Sequence, residues 1–307
     1  MRLVLVSDTH THRGFSLPDG DVLIHAGDAT SNGTLPQVNQ FVEWFSSQPH
    51  RHKIFIAGNH DWLFERETDF ASMLLAEHPD LVYLQDSGVE IDGVRFWGSP
   101  WQPAFCDWAF NLPRKGLRLR EAWNKIPMDT DVLITHCPPF GVLDQVRGGE
   151  HLGCEELNIR RVAVKPRVHI FGHIHDGYGV AFAGSRVLVN ASICDEDYRA
   201  INRPIVVDIS PEKVEVLGMG PRPRKERLAS LTAILDAAEH APEEIQGLKI
   251  QAVIQGLAEL RGIPPEDLCH DYVKRGLRSD LVRFTRSEGK PSRRPLPVKT
   301  LDGYEDE

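Results

Sequence analysis

The chain has no long apolar run. None of its 307 residues lies in a stretch near the roughly 20 consecutive apolar residues that a bilayer-spanning helix needs. At the N-terminus, MRLVLVSDTH meets Asp8 after a four-residue apolar run, too short for the apolar core of a signal peptide. These absences point to a cytoplasmic protein with no membrane partner. Cysteine is scarce: Cys106, Cys137, Cys154, Cys194 and Cys269 are scattered, odd in number and never spaced as C-x-x-C. That excludes a disulfide framework and a thiolate zinc knuckle. No G-x-S-x-G occurs, so a serine nucleophile on an elbow turn is not indicated. Positive charge is also in short supply. The net charge of −9 argues against a protein that wraps long DNA or RNA. The 15 basic and 15 acidic residues from Arg222 to Glu307 cancel, so the whole acidic surplus, 20 basic against 29 acidic, lies in residues 1–221.

What is present is a pattern repeated five times. LVLVSDTH (3–10), VLIHAGD (22–28), KIFIAGNHD (53–61), DVLITHCPP (131–139) and VHIFGHIHD (168–176) are short apolar runs that stop at Asp, Asn or His. Runs this short and this rich in β-branched residues read as buried strands. Helical patterns over 36–47 and 67–77 lie between them, so strand and helix alternate in an α/β architecture. In such folds ligands collect beyond the carboxyl ends of the strands. The side chains gathered there are Asp8, His10, Asp28, Asn59, His60, Asp61, His136, His173 and His175. This is an oxygen and imidazole set without thiolate, suited to Mn, Fe, Zn, Ni or Co. Asp8 and His10 stand two apart, as do His173 and His175, so on an extended strand end each pair points to one side. Glycines before Asp28, Asn59 and His173 predict tight turns that leave room for metals and substrate.

At these residues the sequence resembles the calcineurin-like metallophosphoesterases, whose pattern runs DxH, GDxxxxG, GNHD/E, H and GHxH. Here it reads Asp8-Thr9-His10, Gly27-Asp28 with Gly33, Gly58-Asn59-His60-Asp61, His136 and Gly172-His173-Ile174-His175. The stretches 97–114, 135–144, 172–179 and 189–209 are similar to the subgroup of metallophosphoesterase-domain-containing proteins. The resemblance covers about residues 1–210. It implies a four-layer α/β/β/α sandwich with two divalent metal ions, Mn foremost, at the strand ends. By motif, Asp8, His10 and His175 would hold one ion and Asn59, His136 and His173 the other, with Asp28 bridging. His60 would face the substrate and Asp61 would orient His60. Two ions about 3.5–4 Å apart clamp a phosphoryl group and supply hydroxide for in-line attack.

The implied activity is phosphodiester hydrolysis, with 2′,3′-cyclic nucleotides as leading substrates. Hydrolysis of phosphomonoesters, on nucleotides or phosphoprotein, is the alternative, and a non-catalytic metal-binding scaffold is a third reading. Trp97, Trp101, Phe105, Trp108, Phe110 and Tyr178 lie near the motif loops, where they either stack on a base or, for most of them, pack the gap between sheet and loops. Arg13 and Arg147 are candidate phosphate ligands or surface charges. Short apolar runs at 204–210 and 214–218 close a catalytic domain spanning 1–220. Apolar periodicity beyond it predicts a helical appendage over 221–284, for packing, self-association or a partner. A Pro-rich charged tail over 285–307 is expected to be disordered or loosely docked.

Overall fold

A computed structural model of the chain describes residues 1–218 and, further on, the backbone of Val298–Thr300. In chain order, β1 (Arg2–Val6), β2 (Val22–Ala26), α1 (Leu35–Ser46) and β3 (His52–Ile56) lead into α2 (Trp62–Arg66) and α3 (Thr68–Ala76). Next come β4 (Leu81–Tyr83), β5 (Ser87–Ile91), β6 (Val94–Ser99), the short pair β7 (Gln102–Pro103) and β8 (Asn111–Leu112), and α4 (Arg118–Asn124). The remainder is β9 (Val132–Thr135), α5 (Glu155–Val164), β10 (Val168–Phe171), a 3-10 turn (His175–Gly177), β11 (Gly179–Ala183), β12 (Arg186–Asn190), β13 (Ile205–Ile209), β14 (Val214–Gly218) and β15 (Val298–Thr300). All five expected strands form, and the two expected helices are realised as α1 and α3. The appendage expected over 221–284 lies outside the described residues, as does the tail except for Val298–Thr300.

Two sheets carry the fold. The first runs β14-β13-β1-β2-β3-β4 and the second β15-β11-β12-β10-β9-β6-β5. Their central strands, β1 to β4 and β12, β10, β9 and β6, are mutually parallel within each sheet. A parallel sheet covered on both faces needs continuous apolar runs, and β1 shows why. Leu3 and Leu5 point between the sheets, where they join Ile24 and Ile54 and meet Val132, Ile134, Val168 and Ile170 of the second sheet. Val4 and Val6 point the other way, into a layer with Val38, Phe41, Val42 and Phe45 of α1 and Leu63 and Phe64 of α2. Leu133, on the outer face of β9, packs with Leu119 and Trp123 of α4 and Leu157 of α5. The result is helix, sheet, sheet, helix: the four-layer sandwich.

Helix α1 follows from its sequence. Pro36 sits in the first turn, where it forfeits no hydrogen bond, and the apolar residues recur at three and four on the buried face. Truncating Phe45, which is fully buried, would cost roughly 3–5 kcal/mol. Because β1, β2, β3, β9, β10 and β12 all deliver their carboxyl ends to the same side, the polar residues after them converge. Ser7 and Ser192 pair there and stitch the sheets together: Ser7 N–H donates to Ala191 and Ile193 N–H to Ser7, at 2.9 and 2.8 Å. Among the described residues no helix is long and apolar enough to cross a membrane.

Candidate metal centre

The ligand positions are not extended, contrary to the strand-end geometry expected for Asp8 and His10. β1 stops at Val6, and Asp8 (φ 51°), His10 (φ 41°) and Thr11 (φ 71°) are left-handed, as are Asp28 (φ 55°) and His173 (φ 65°). His175 stands in the 3-10 turn. Tight turns, not pleat alternation, bring each pair to one place. Such backbone costs on the order of 1–3 kcal/mol per residue and persists only where neighbours impose it. Here Asp8 N–H donates to Gly27, His10 N–H to Asp28, and His173 N–H to the Asp8 carboxylate, all within 2.9–3.0 Å. The three glycines do leave room, but for other donors. A Cβ on Gly27 would lie 2.5 Å from His136 Nδ1, one on Gly58 2.3 Å from Asp28 Oδ1, and one on Gly172 1.9 Å from Asp8 Oδ2.

The donor atoms form three overlapping groups: Asp8, His10 and His175; His10, Asp28 and His60; Asp28, His136 and His173. Within them His10 Nε2 stands 3.2 Å from His175 Nε2, which is 3.4 Å from Asp8 Oδ1. His136 Nε2 stands 2.9 Å from Asn59 Oδ1 and 3.3 Å from Asp28 Oδ2. Donors bound at ~2.0–2.2 Å to one cation stand roughly 3–3.5 Å from each other, so the spacing fits ions at this place. The tautomers agree. His136 Nδ1–H donates to Ala26 and His175 Nδ1–H to Asp195, at 3.0 and 2.8 Å, which turns each Nε2 lone pair toward the other donors. Lone pairs facing lone pairs at this distance require a cation or a proton between them.

Electrostatics shows the same demand. Burial pushes His136 down, but Asp28, then Asp8 and the Ala26 carbonyl, raise it to about 9. Burial brings His10 to about 4 and His173 to about 3, so both rings are neutral, as ligation requires. Burial pushes the Asp8 and Asp28 carboxyls up, yet His175 beside Asp8 and His136 beside Asp28 hold both below the usual carboxylate range.

Other expectations are redrawn. Asp61 does not touch the His60 ring. Its carboxylate accepts from the N–H groups of Ala29, Thr30 and Gly58 and from Thr30 Oγ1, pinning the loop of Asp28 to that of Asn59. Burial, then Asp28, pushes it up to about 6. The Ser31 carbonyl, 2.7 Å from His60 Nδ1, does the orienting, and Trp108 lies on the ring at 4.2 Å. Arg13 is engaged elsewhere, donating to Gln40. Arg147 binds Asp176 and Glu196 at the mouth of the site. A cleft of about 440 Å³ opens over Asp28, Asn59, His60, His173 and His175, walled by Phe105, Trp108, Arg114, Leu152 and Tyr198. Of the six aromatics singled out by position, Phe105 and Trp108 reach it, Phe110 is fully buried, and Trp97, Trp101 and Tyr178 are partly buried against the core, with the Tyr178 hydroxyl donating to Arg203. A larger depression lies at the opposite strand ends, around Arg2, Asp21 and Asp208, with none of these donors.

Residues that position the donors went unnoticed in the sequence because nothing periodic marks them. Ser192 Oγ donates to Asp8 at 2.8 Å and is itself held by Asn190. His25 and His169, inside strands, bind Thr9, on the loop of His10, and Thr135, the last residue of β9 before His136, each at 2.9 Å.

A four-layer sandwich that closes this oxygen and imidazole set at its strand ends defines the class of metal-dependent phosphoesterases. The chain belongs to the calcineurin-like phosphoesterase family, whose profile matches residues 1–177, and it is a phosphoesterase hydrolase of a kind that generally works with a dimetal centre. Metallophosphoesterase domain-containing protein 1 of Homo sapiens is 47% identical over 231 residues, covering 68% of this chain and 71% of that protein. UPF0046 protein K07C11.7 of Caenorhabditis elegans is 39% identical over 226 residues, covering 69% and 76%. Among solved structures, TT1561 of Thermus thermophilus shares the fold with a TM-score of 0.50 at 14% identity, over 71% of this chain and 98% of that one.

Proposed function

We propose that this phosphoesterase hydrolyses small phosphodiesters, with 2′,3′-cyclic nucleotides as leading substrates. The observation that carries the reading is the wall of the cleft. Its cation among the described residues, Arg114, is already committed to the carbonyls of Leu152 and Gly153 and to Glu155. Arg147 is likewise held by Asp176 and Glu196. Beyond the donor cluster the wall therefore offers Pro103, Ala104, Phe105, Trp108, Val146 and Leu152 rather than a second anion site. A monoanionic diester with a flat organic substituent suits such a wall better than a dianionic monoester or a polyphosphate.

Asp8, His10 and His175 would hold one divalent ion and Asn59, His136 and His173 the other, with Asp28 shared; Mn is the first expectation, and Fe, Zn, Ni or Co fit the same donors. When bound, the pair supplies Lewis-acid charge and hydroxide at neutral pH. Against +4 from the ions, Asp8, Asp28 and one hydroxide leave +1, which matches a diester monoanion. Asn59 contributes an uncharged oxygen and so preserves that balance. His60 is fixed by Ser31 on one ring nitrogen and by Trp108 on its face, which aims Nε2 into the cleft 3.9 Å from Asp28 Oδ2. From there it stabilises a phosphoryl oxygen or protonates the departing one. Phe105 and Trp108 offer faces for a base.

The test compares bis-p-nitrophenyl phosphate with p-nitrophenyl phosphate on protein stripped by chelator and reloaded with Mn²⁺, beside Asp28→Ala. Faster diester turnover that needs both metal and Asp28 is expected. A preference for the monoester would replace this reading with a phosphomonoesterase.

A further inference from the structure

Tyr198 belongs to none of the motifs that define the site, yet it stands over the donors. Its ring approaches His10 at 4.7 Å, His175 at 5.5 Å and His60 at 6.1 Å, edge-on in each case, and it lines the cleft together with Asp28 and Asn59. Two properties set it apart from a packing residue. It is 49% exposed, and its hydroxyl has no hydrogen-bond partner among the described residues, although the ring is packed against imidazoles. Its backbone is left-handed (φ 58°), an outlier for a bulky aromatic and a cost the surroundings must enforce.

The enforcement is visible. Tyr198 N–H donates to the Asp195 carbonyl at 2.9 Å, and the same carbonyl accepts from His175 Nδ1 at 2.8 Å. The Asp195 carboxylate closes the turn by accepting from the N–H groups of Asp197 and Arg199 and from Arg199 Nε, at 3.1, 2.9 and 2.7 Å. The carbonyl of Tyr198 is tied back to His12 Nε2 at 3.0 Å, and Cys194 bridges to Ala200 across the base of the turn. One turn therefore sets the tautomer of a metal-ligating histidine and holds a strained tyrosine above it. A turn needed only to brace His175 would have no use for either the strain or the ring.

We propose that Tyr198 is a substrate-binding residue of the phosphoesterase reaction, its phenolic hydroxyl donating a hydrogen bond to an oxygen of the phosphoryl group bound over Asp28 and His60. Asp195 is the positioning residue that places it. The hydroxyl is a neutral donor, so it adds grip on the phosphoryl group without disturbing the charge match, in a cleft whose guanidinium groups are spent on the protein itself. The assignment rests on the phosphoesterase reading and is independent of whether diester or monoester is preferred.

The experiment uses the full chain loaded with Mn²⁺ and compares wild type with Tyr198→Phe, which keeps the ring and removes the hydroxyl. Metal content and melting temperature should be unchanged. The affinity for inorganic phosphate, measured by calorimetry, and kcat/KM on both p-nitrophenyl esters should fall together by about ten- to a hundredfold, the loss expected for one hydrogen bond to a charged group. Equal phosphate affinity and turnover in the two proteins would overturn the assignment, as would loss of metal from Tyr198→Phe, which would make the hydroxyl a support of the metal site rather than a substrate ligand. A wild-type protein that binds metal but neither binds phosphate nor cleaves either ester would sink the phosphoesterase reading and this one with it. Asp195→Asn tests the positioning: its loss of kcat/KM should vanish in the Tyr198→Phe background, whereas additive losses would show that Asp195 acts by another route.

Discussion

His25 and His136 are both fully buried, both lie within or just beyond parallel strands, and both lean on the loops that carry the donors. They are nevertheless opposites. Burial takes His25 down to about 3, and the more distant Asp8 and Asp28 do not rescue it. The same burial acts on His136, but with Asp28 at 3.3 Å the ring is raised to about 9. Company, not depth, sets these two rings apart. His25 meets a hydroxyl, Thr9 Oγ1, and accepts the Gly27 N–H on its other nitrogen at 3.3 Å, so both ring nitrogens are satisfied within the protein. His136 satisfies one nitrogen on a backbone carbonyl and presents the other to oxygens that have no proton to give. His25 spends both nitrogens holding the loops in shape; His136 leaves one of its nitrogens to the donor cluster.

The contrast breaks most visibly at His136 itself. His136→Ala should lose metal and lower turnover about a thousandfold or more, with metal analysis and kinetics on the same preparation as the check. Retained metal with full activity would make His136 another brace. His60→Gln should keep its metal complement while kcat drops about 10²–10⁴-fold, the range of a lost acid–base or donor group; loss of metal would assign His60 to the ligands, as its place beside His10 and Asp28 permits. A finer cut separates the two braces. His25→Phe leaves the Gly27 N–H without its acceptor and the Thr9 hydroxyl with only a long 3.5 Å bond to Ala29, and should lower unfolding free energy by about 1–3 kcal/mol in denaturant titrations. His169→Phe should cost less, since His169 Nδ1 has no partner to lose and the Thr135 hydroxyl still donates to Cys137. The smallest effect belongs to Arg13→Ala, whose guanidinium is engaged with Gln40: turnover should stay within about twofold of wild type, and a larger fall would return Arg13 to the substrate.

Much of the site was legible because its donors sit where the apolar runs end, and periodicity finds those ends. Strands β1, β2, β3, β9 and β10 and the runs that became β13 and β14 are visible as β-branched text, and all seven expected donors are brought together. What stayed hidden is of two physical kinds. Backbone handedness at Asp8, His10, Asp28 and His173 is imposed by neighbours distant in sequence, such as Gly27 against Asp8, and an aspartate or histidine code carries no mark of it. Long-range hydrogen bonds are equally silent. The resemblance implies that Asp61 orients His60, whereas its carboxylate reaches back some thirty positions to Ala29 and Thr30. Arg13 followed the motif in sequence but not in space. Tyr198 and Ser192 sit in a stretch whose resemblance to the subgroup was visible while the role of each residue was not.

Gly172 has a meaning for the gene as well as for the fold. A methyl group there would sit 1.9 Å from Asp8 Oδ2 and 2.2 Å from Ser7 Oγ, side chains on the opposite sheet and 164 or more positions earlier in the chain. Glycine and alanine codons differ by a single base, and alanine is the gentlest replacement most positions can receive. Here that mildest of changes strikes the buried Asp8 carboxylate, one of the donors, so a single base separates this sequence from one whose donor set must shift.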